Sequence, residues 1–196
     1  VENVIISHCN EEMGPQRLSD LRVPIHKTIF VDMFVRSYFR GKMIQTLANA
    51  GFEIAVVGAG WETLPLKKPN RFTIIQQTNS RRCLELIKDS RISVNIMPWF
   101  KNGVHDRVFN SIINDTVCFT DGSGYLNEVL SDGEGLRYYD LNDLSAKSDG
   151  SHIVDSMEKL LSDYDKLDSM AEAGKKIVSA DHTWKNRAKK LMELFS

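Results

Sequence analysis

The sequence predicts an α/β protein built on a Rossmann-like parallel sheet with helices on both faces. Two observations carry that expectation. Short apolar, β-branched runs recur along the chain (EIAVVG, FTIIQ, ISVNIM, VCFT, LRYY), and segments with apolar residues three or four apart separate them. Strands joined by helix-length crossovers pair in parallel, and a sheet covered on both faces needs strands apolar on both sides.

Each element has its own justification. Residues 1–30 contain EEMGPQRLSDLRVP, with two prolines, a glycine and mixed charge but no sustained period, so they read as a linker or the remnant of an upstream domain. Residues 31–196 read as the domain proper. Tyr38/Phe39, Met43/Ile44 and Leu47/Ala48 recur at helical spacing from Val31 onward, and Gly51 supplies the stop. FEIAVVGAGW then reads as a buried strand running into a tight turn at Gly58 and Gly60. FTIIQ is a second strand. A helix from Asn79 or Ser80 through Cys83, Leu84 and Ile87 leads to the strand ISVNIM. Val108, Phe109, Ile112 and Ile113 mark the next helix, followed by strand VCFT, a short helix around Tyr125 to Leu130, and strand LRYY. The tail is helical. Ile153, Met157, Leu160/Leu161 and Tyr164 share a face, Gly174 falls inside or at a break, and Trp184, Ala188, Leu191/Met192 and Phe195 mark a last amphipathic helix that Trp184 is expected to pack down.

Composition narrows the function classes. Lys plus Arg number 25 against 26 Asp plus Glu, for a formal charge of -1. No global field therefore recommends nucleic acid or an anionic membrane as partner, and anion binding has to be local. No apolar run approaches the ~20 residues that span a bilayer, and VENVIISHCNEEMG lacks the basic start and apolar core of a signal peptide. A soluble cytoplasmic protein is expected. Cys9, Cys83 and Cys118 are odd in number and widely spaced, which argues against a disulfide framework and a zinc knuckle. His8, His26, His105, His152 and His182 show no metal spacing, and hydrolase and P-loop signatures are absent.

In open α/β sheets ligands bind beyond the carboxyl ends of the strands, near helix N-termini whose free N–H groups and dipole favour an anion. Three loops lie at such ends: Gly58 to Trp61, Pro98 to Arg107, and Asp121 to Gly124. The middle one is the richest. Gly103 would let a ligand approach the backbone, while His105 and Arg107 add donors at the start of a helix, a combination that suits a diphosphate. The same residues fit another reading, in which Asp106 caps the helix, Arg107 pairs with a carboxylate and His105 is simply exposed. GAGW lacks the third glycine and downstream acid of a dinucleotide fingerprint, which disfavours NAD. Gly58 and Gly60 can be read as shaping their turn, and DGSG as a capped turn with Ser123 as backbone partner.

The order of VDMFVRSYFRGKMIQTLANAGFEIAVVGAGW, ISVNIMPWFKNGVHDRVFNSIINDTVCFTDGSGYLNEVL and AEAGKKIVSADHTWKNRAKKLMELF resembles the C-terminal, donor-binding half of GT-B glycosyltransferases. It is most similar to the group-1 and CgeB-like transferases. The resemblance covers roughly Val31 to Phe195 and rests on HDRVFN, TDGSGYL and HTW..RA appearing in that order. It implies a donor domain for a nucleotide-sugar, a UDP- or GDP-sugar, with no metal or other cofactor required. The diphosphate would lie against Gly103 to Arg107, Arg107 would offset charge on the leaving group, and His105 or Asp106 would meet the sugar. Pro98, Gly103, Asp106, Asn110, Gly122, Ser123, Gly58 and Arg36 are the implied nucleotide contacts, with Met97 and Pro98 walling the base and Arg36 and Arg40 near an interdomain cleft. Family glutamates fall at Asn102 and Asn110 here, so the chain departs from the pattern at both. Thr183 or Asp181 would cap the last helix. The acceptor, a glycan, protein or lipid, would be bound by an N-terminal domain that this chain lacks, leaving the fragment able to bind donor but not to transfer. The alternative is a non-catalytic Rossmann-like binding or scaffold module.

Overall fold

The computed structural model describes residues 20–21 and 24–195. The linker reading of residues 1–30 falls largely outside them, as does Cys9. Residues 24–27 are already helical.

α1 spans Ile29–Ala50 and ends at Gly51, whose φ of 101° lets its N–H reach back to the carbonyls of Leu47 and Ala48. The expected alternation follows. β1 (Ile54–Val57), β2 (Phe72–Ile75), α2 (Ser80–Lys88), β3 (Ile92–Asn95), α3 (Asp106–Ile113), β4 (Val117–Asp121), α4 (Gly124–Val129) and β5 (Leu136–Tyr139) succeed one another, and α5 (Ser151–Leu161), α6 (Tyr164–Asp181) and α7 (Trp184–Glu193) complete the chain. Caps set several of these starts. The Asn79 side chain accepts from Arg82 N, Ser123 from Leu126 N, Asp163 from Lys166 N and Thr183 from Asn186 N, each worth about 1 kcal/mol.

All ladders are parallel. β1 pairs with β2 in the register Ile54↔Phe72, and β4 lies between β3 and β5, with Val94↔Phe119 and Cys118↔Leu136. β4 is buried along its whole length, and its alternating side chains divide the core in two. Val117 and Phe119 pack with Met43, Leu47, Ile153, Leu160 and Met170 from α1, α5 and α6. Cys118 on the other face packs with Val108, Ile112 and Leu126 from α3 and α4. The three-stranded sheet β3–β4–β5 is thus covered on both sides of β4, while β1 and β2 form a separate two-stranded sheet. Burial pushes the Cys118 thiol up to about 12, so it packs rather than reacts.

Gly174 sits inside α6. A Cβ there would lie 2.4 Å from Gly135 Cα, so the glycine is the price of close contact between this helix and the chain entering β5, and the helix does not break.

One packing expectation is overturned. Trp184 is 88% exposed, and Leu191, Met192 and Phe195 are exposed as well, so the apolar stripe of α7 covers nothing among the described residues. Its start is fastened by two other contacts. His182 stacks on Phe109 at 5.0 Å with 11° between the rings, and Arg187 Nη2 donates to Tyr125 OH at 2.7 Å. Periodicity finds a stripe but not what lies opposite it.

Candidate functional site

The site is built on the carboxyl end of β4. Asp121 is 1% exposed there. Its Oδ1 accepts from Met97 N at 2.6 Å and its Oδ2 pairs with Lys101 Nζ at 3.1 Å. Gly124 N donates to Lys101 O at 2.7 Å, so the segment following β3 is held at both ends by the segment following β4. Beneath, Asn95 Nδ2 donates to Thr120 Oγ1 across the ladder and Tyr139 OH donates to Asn95 O. These contacts pin the loop from Met97 to His105.

That loop delivers His105 and Arg107 to the mouth of α3. His105 occupies the cap position with extended backbone, and its side chain caps nothing. Its N–H is directed at Met97 Sδ, 3.4 Å away, and its ring lies 5.1 Å from that of Phe100. Phe100 also explains Gly103. A Cβ on Gly103 would fall 2.6 Å from the Phe100 ring, so the chain's own aromatic residue occupies the space that the sequence reading reserved for a ligand. Asp106 begins the helix without capping it and receives only a 3.5 Å contact from Asn110 Nδ2.

Around this mouth cations outnumber the carboxylates, Asp106 and Asp121, that act on His105. Arg40, from α1, stands 5.5 Å over the Trp61 ring. Burial first, then Arg107, holds its guanidinium below the ordinary value. His105 is likewise held below its ordinary value, by burial first, then by Arg107 and more weakly by Arg36, with Asp106 and Asp121 opposing. Arg36 has a partner in Asp32 at 2.8 Å. Among the described residues neither Arg40 nor Arg107 has a carboxylate within ion-pair distance. α1, the turn after β1 and α3 therefore bring three guanidinium groups and an imidazole into one another's field, at a helix N-terminus whose dipole adds to the positive potential. Such a cluster can hold a polyanion and offset charge that develops on one.

The remaining predicted residues divide. Asn110 lies one turn below Asp106 on the same helix, half-buried. Gly58, at φ 103°, shapes the turn that carries Trp61. Pro98 lies in the loop between buried Met97 and half-exposed Trp99, so Met97 belongs to the core rather than to a wall. Ser123 is buried with its hydroxyl accepting from Leu126 N. Gly122 lines a separate cleft of about 640 Å³ with Lys101, Asp121, Asn127 and Tyr138. His105, Arg107 and Arg36 are brought together, while the Ser123 hydroxyl is used as a helix cap. Sequence reasoning missed the contacts of Asp121 with Met97 and Lys101, and it placed Arg40 near a cleft and Trp61 in a candidate loop without joining them to each other. An acid directly after a buried strand, with a lysine in the facing loop, was the available signal.

A family model described as glycosyl transferase-like matches residues 36–193. The chain belongs to that family. The match runs from Arg36 in α1 to the end of α7 and so contains the whole cationic cluster. Comparison with curated proteins returns no match. This glycosyl transferase-like domain has the fold its sequence predicts, a parallel α/β sheet flanked by helices, and its family implies a sugar donor and an acceptor in general terms. Among the described residues no helix is long and apolar enough to cross a membrane, and no group of three or more His, Cys, Asp or Glu could hold a metal ion.

Proposed function

We propose that the domain is the donor-binding half of a GT-B-type glycosyltransferase and binds a nucleotide-sugar, a UDP- or GDP-sugar, with the diphosphate at the mouth of α3. The observation that carries this reading is the gathering of Arg36, Arg40, His105 and Arg107 at a helix start beyond the strand ends, with no carboxylate paired to Arg40 or Arg107 among the described residues. Arg107 acts on the leaving diphosphate as an acceptor hydroxyl attacks the sugar, needing no metal for that task. Burial first, then Arg107, holds His105 below its ordinary value, and negative charge from a diphosphate beside it would shift it the other way. Asn110 offers an amide to the ribose hydroxyls, a weaker acceptor than a carboxylate. The acceptor, a glycan, protein or lipid, is held by a separate domain, so this domain alone binds donor without transferring it.

A second reading, a non-catalytic binding module, draws support from the amides at Asn102 and Asn110, where the sequence resemblance places glutamates.

A thermal-shift screen against UDP, GDP, ADP and TDP and their common sugar conjugates tests the donor reading. A ligand at a hundred times its Kd adds about 2.7 kcal/mol, which at this size is a shift of several degrees. Stabilisation by one nucleotide, lost in Arg107→Ala, is expected. Silence from all of them, with full-length protein silent too, would leave the binding module as the better reading.

A further inference from the structure

Away from the strand-end cluster, α5, α6 and β5 enclose a second cavity of about 380 Å³, within the size range of small-molecule sites. Its wall carries Arg137, Lys159 and Lys166, with Ser156 between them and Asp163 as the one carboxylate of the lining. Its floor is apolar, formed by Leu160, Leu167 and Met170, each at most 5% exposed. Ser156, Lys159 and Leu160 are three and four residues apart on α5, which places hydroxyl, ammonium and floor on one helix face.

Arg137 makes the arrangement unusual. Its Nη1 pairs with Asp132 Oδ2 at 2.8 Å, whereas its Nε is buried with no hydrogen-bond partner among the described residues. A guanidinium N–H shut away from water without an acceptor is disfavoured unless something supplies one. Asp163 is already engaged, accepting from Lys166 N at 3.0 Å as the cap of α6. Three cations therefore face the cavity with one carboxylate among them, over a floor of low polarity that strengthens any charge interaction above it.

We propose that this cavity binds the phosphoryl group of a small phosphorylated molecule. A small turn of the Arg137 guanidinium, with Nη1 kept on Asp132, gives its orphan N–H to a phosphoryl oxygen, while Lys159 and Lys166 balance the remaining charge and Ser156 adds a hydroxyl donor. The apolar floor receives the carbon skeleton of a phosphomonoester. Inorganic phosphate shares the oxyanion chemistry without that contact. The site is separate from the mouth of α3 and does not depend on the donor reading.

Calorimetric titration of the full 196-residue chain with inorganic phosphate, glycerol 3-phosphate and glycerol, at fixed ionic strength, tests it. Both anions are expected to bind and glycerol to give no heat. Lys159→Gln/Lys166→Gln, at two exposed positions, should weaken binding at least tenfold, and should do so equally in an Arg107→Ala background. Tighter binding of glycerol 3-phosphate than of phosphate identifies a phosphomonoester as the occupant, and equal binding identifies free phosphate. The proposal is overturned if neither anion binds, if the double variant binds as the parent does, or if Arg107→Ala abolishes binding and so assigns the anion to the strand-end cluster.

Discussion

The segments that follow β3 and β4 are both rich in polar residues and use them in opposite ways. After β4, each polar group finds a partner within the chain. Both Asp121 oxygens are engaged, by Met97 N and Lys101, and the Ser123 hydroxyl caps α4. After β3, the chain arrives at α3 with no side-chain cap, and Arg107 faces Arg40 and His105 rather than a carboxylate. Polar residues that satisfy one another build structure. Cations that have mainly one another for neighbours cost stability, and their arrangement makes sense around an anion.

The contrast can be broken by exchanging the two behaviours. Asp121→Ala should have the largest effect, a loss of about 2–3 kcal/mol, because it strands the buried Met97 N–H and removes a charged acceptor. Chemical denaturation measures it, and a loss below 0.5 kcal/mol, the ordinary range for surface changes, would show that the loop is held by something else. Ser123→Ala removes one cap and should cost about 1 kcal/mol in the same measurement, without altering nucleotide affinity. Arg107→Ala should change the stability of the unliganded protein by no more than about 0.5 kcal/mol, since the like-charge crowding it relieves offsets the contacts it removes. A clear destabilisation would mean that Arg107 is structural.

The smallest expected effect sharpens the comparison through pH. Burial and Arg107 hold His105 below its ordinary value near 6.5, and burial and Arg187 do the same to His182. As pH falls, the unfolded chain takes up these protons first, so stability is full above the unfolded value and declines as pH drops through it toward the lower folded values. His105→Gln should flatten part of that decline and His182→Gln the rest. Diphosphate binding should move the other way and tighten as pH falls from 8 to 6, because a bound anion favours the protonated imidazole. An affinity independent of pH would remove His105 from the site.

Most of the fold was legible in the sequence because its signals are local. Gly51, Asn79, Ser123 and Thr183 each end or start a helix through their own backbone or a side chain a few residues away. The site was legible only in part. His105, Arg107 and Arg36 stood out by residue type and position, but the Met97–Asp121 and Lys101–Asp121 contacts join residues twenty or more positions apart, and no periodicity registers them. The Phe100 ring against Gly103 is a local contact, three residues apart, that residue type alone does not announce either. Trp184 shows the opposite failure, a clear stripe with nothing against it.

The account's central claim is that the cations at the mouth of α3 hold a diphosphate, and calorimetry tests it most directly. The nucleoside diphosphate selected by the screen and its parent nucleoside are titrated into the protein and into Arg40→Gln/Arg107→Gln, each at two salt concentrations. The account predicts that the diphosphate binds at least a hundredfold more tightly than the nucleoside, that the double variant loses most of that preference, and that salt weakens the diphosphate alone. Equal affinities for nucleoside and diphosphate, or a preference that survives in the double variant, would contradict it.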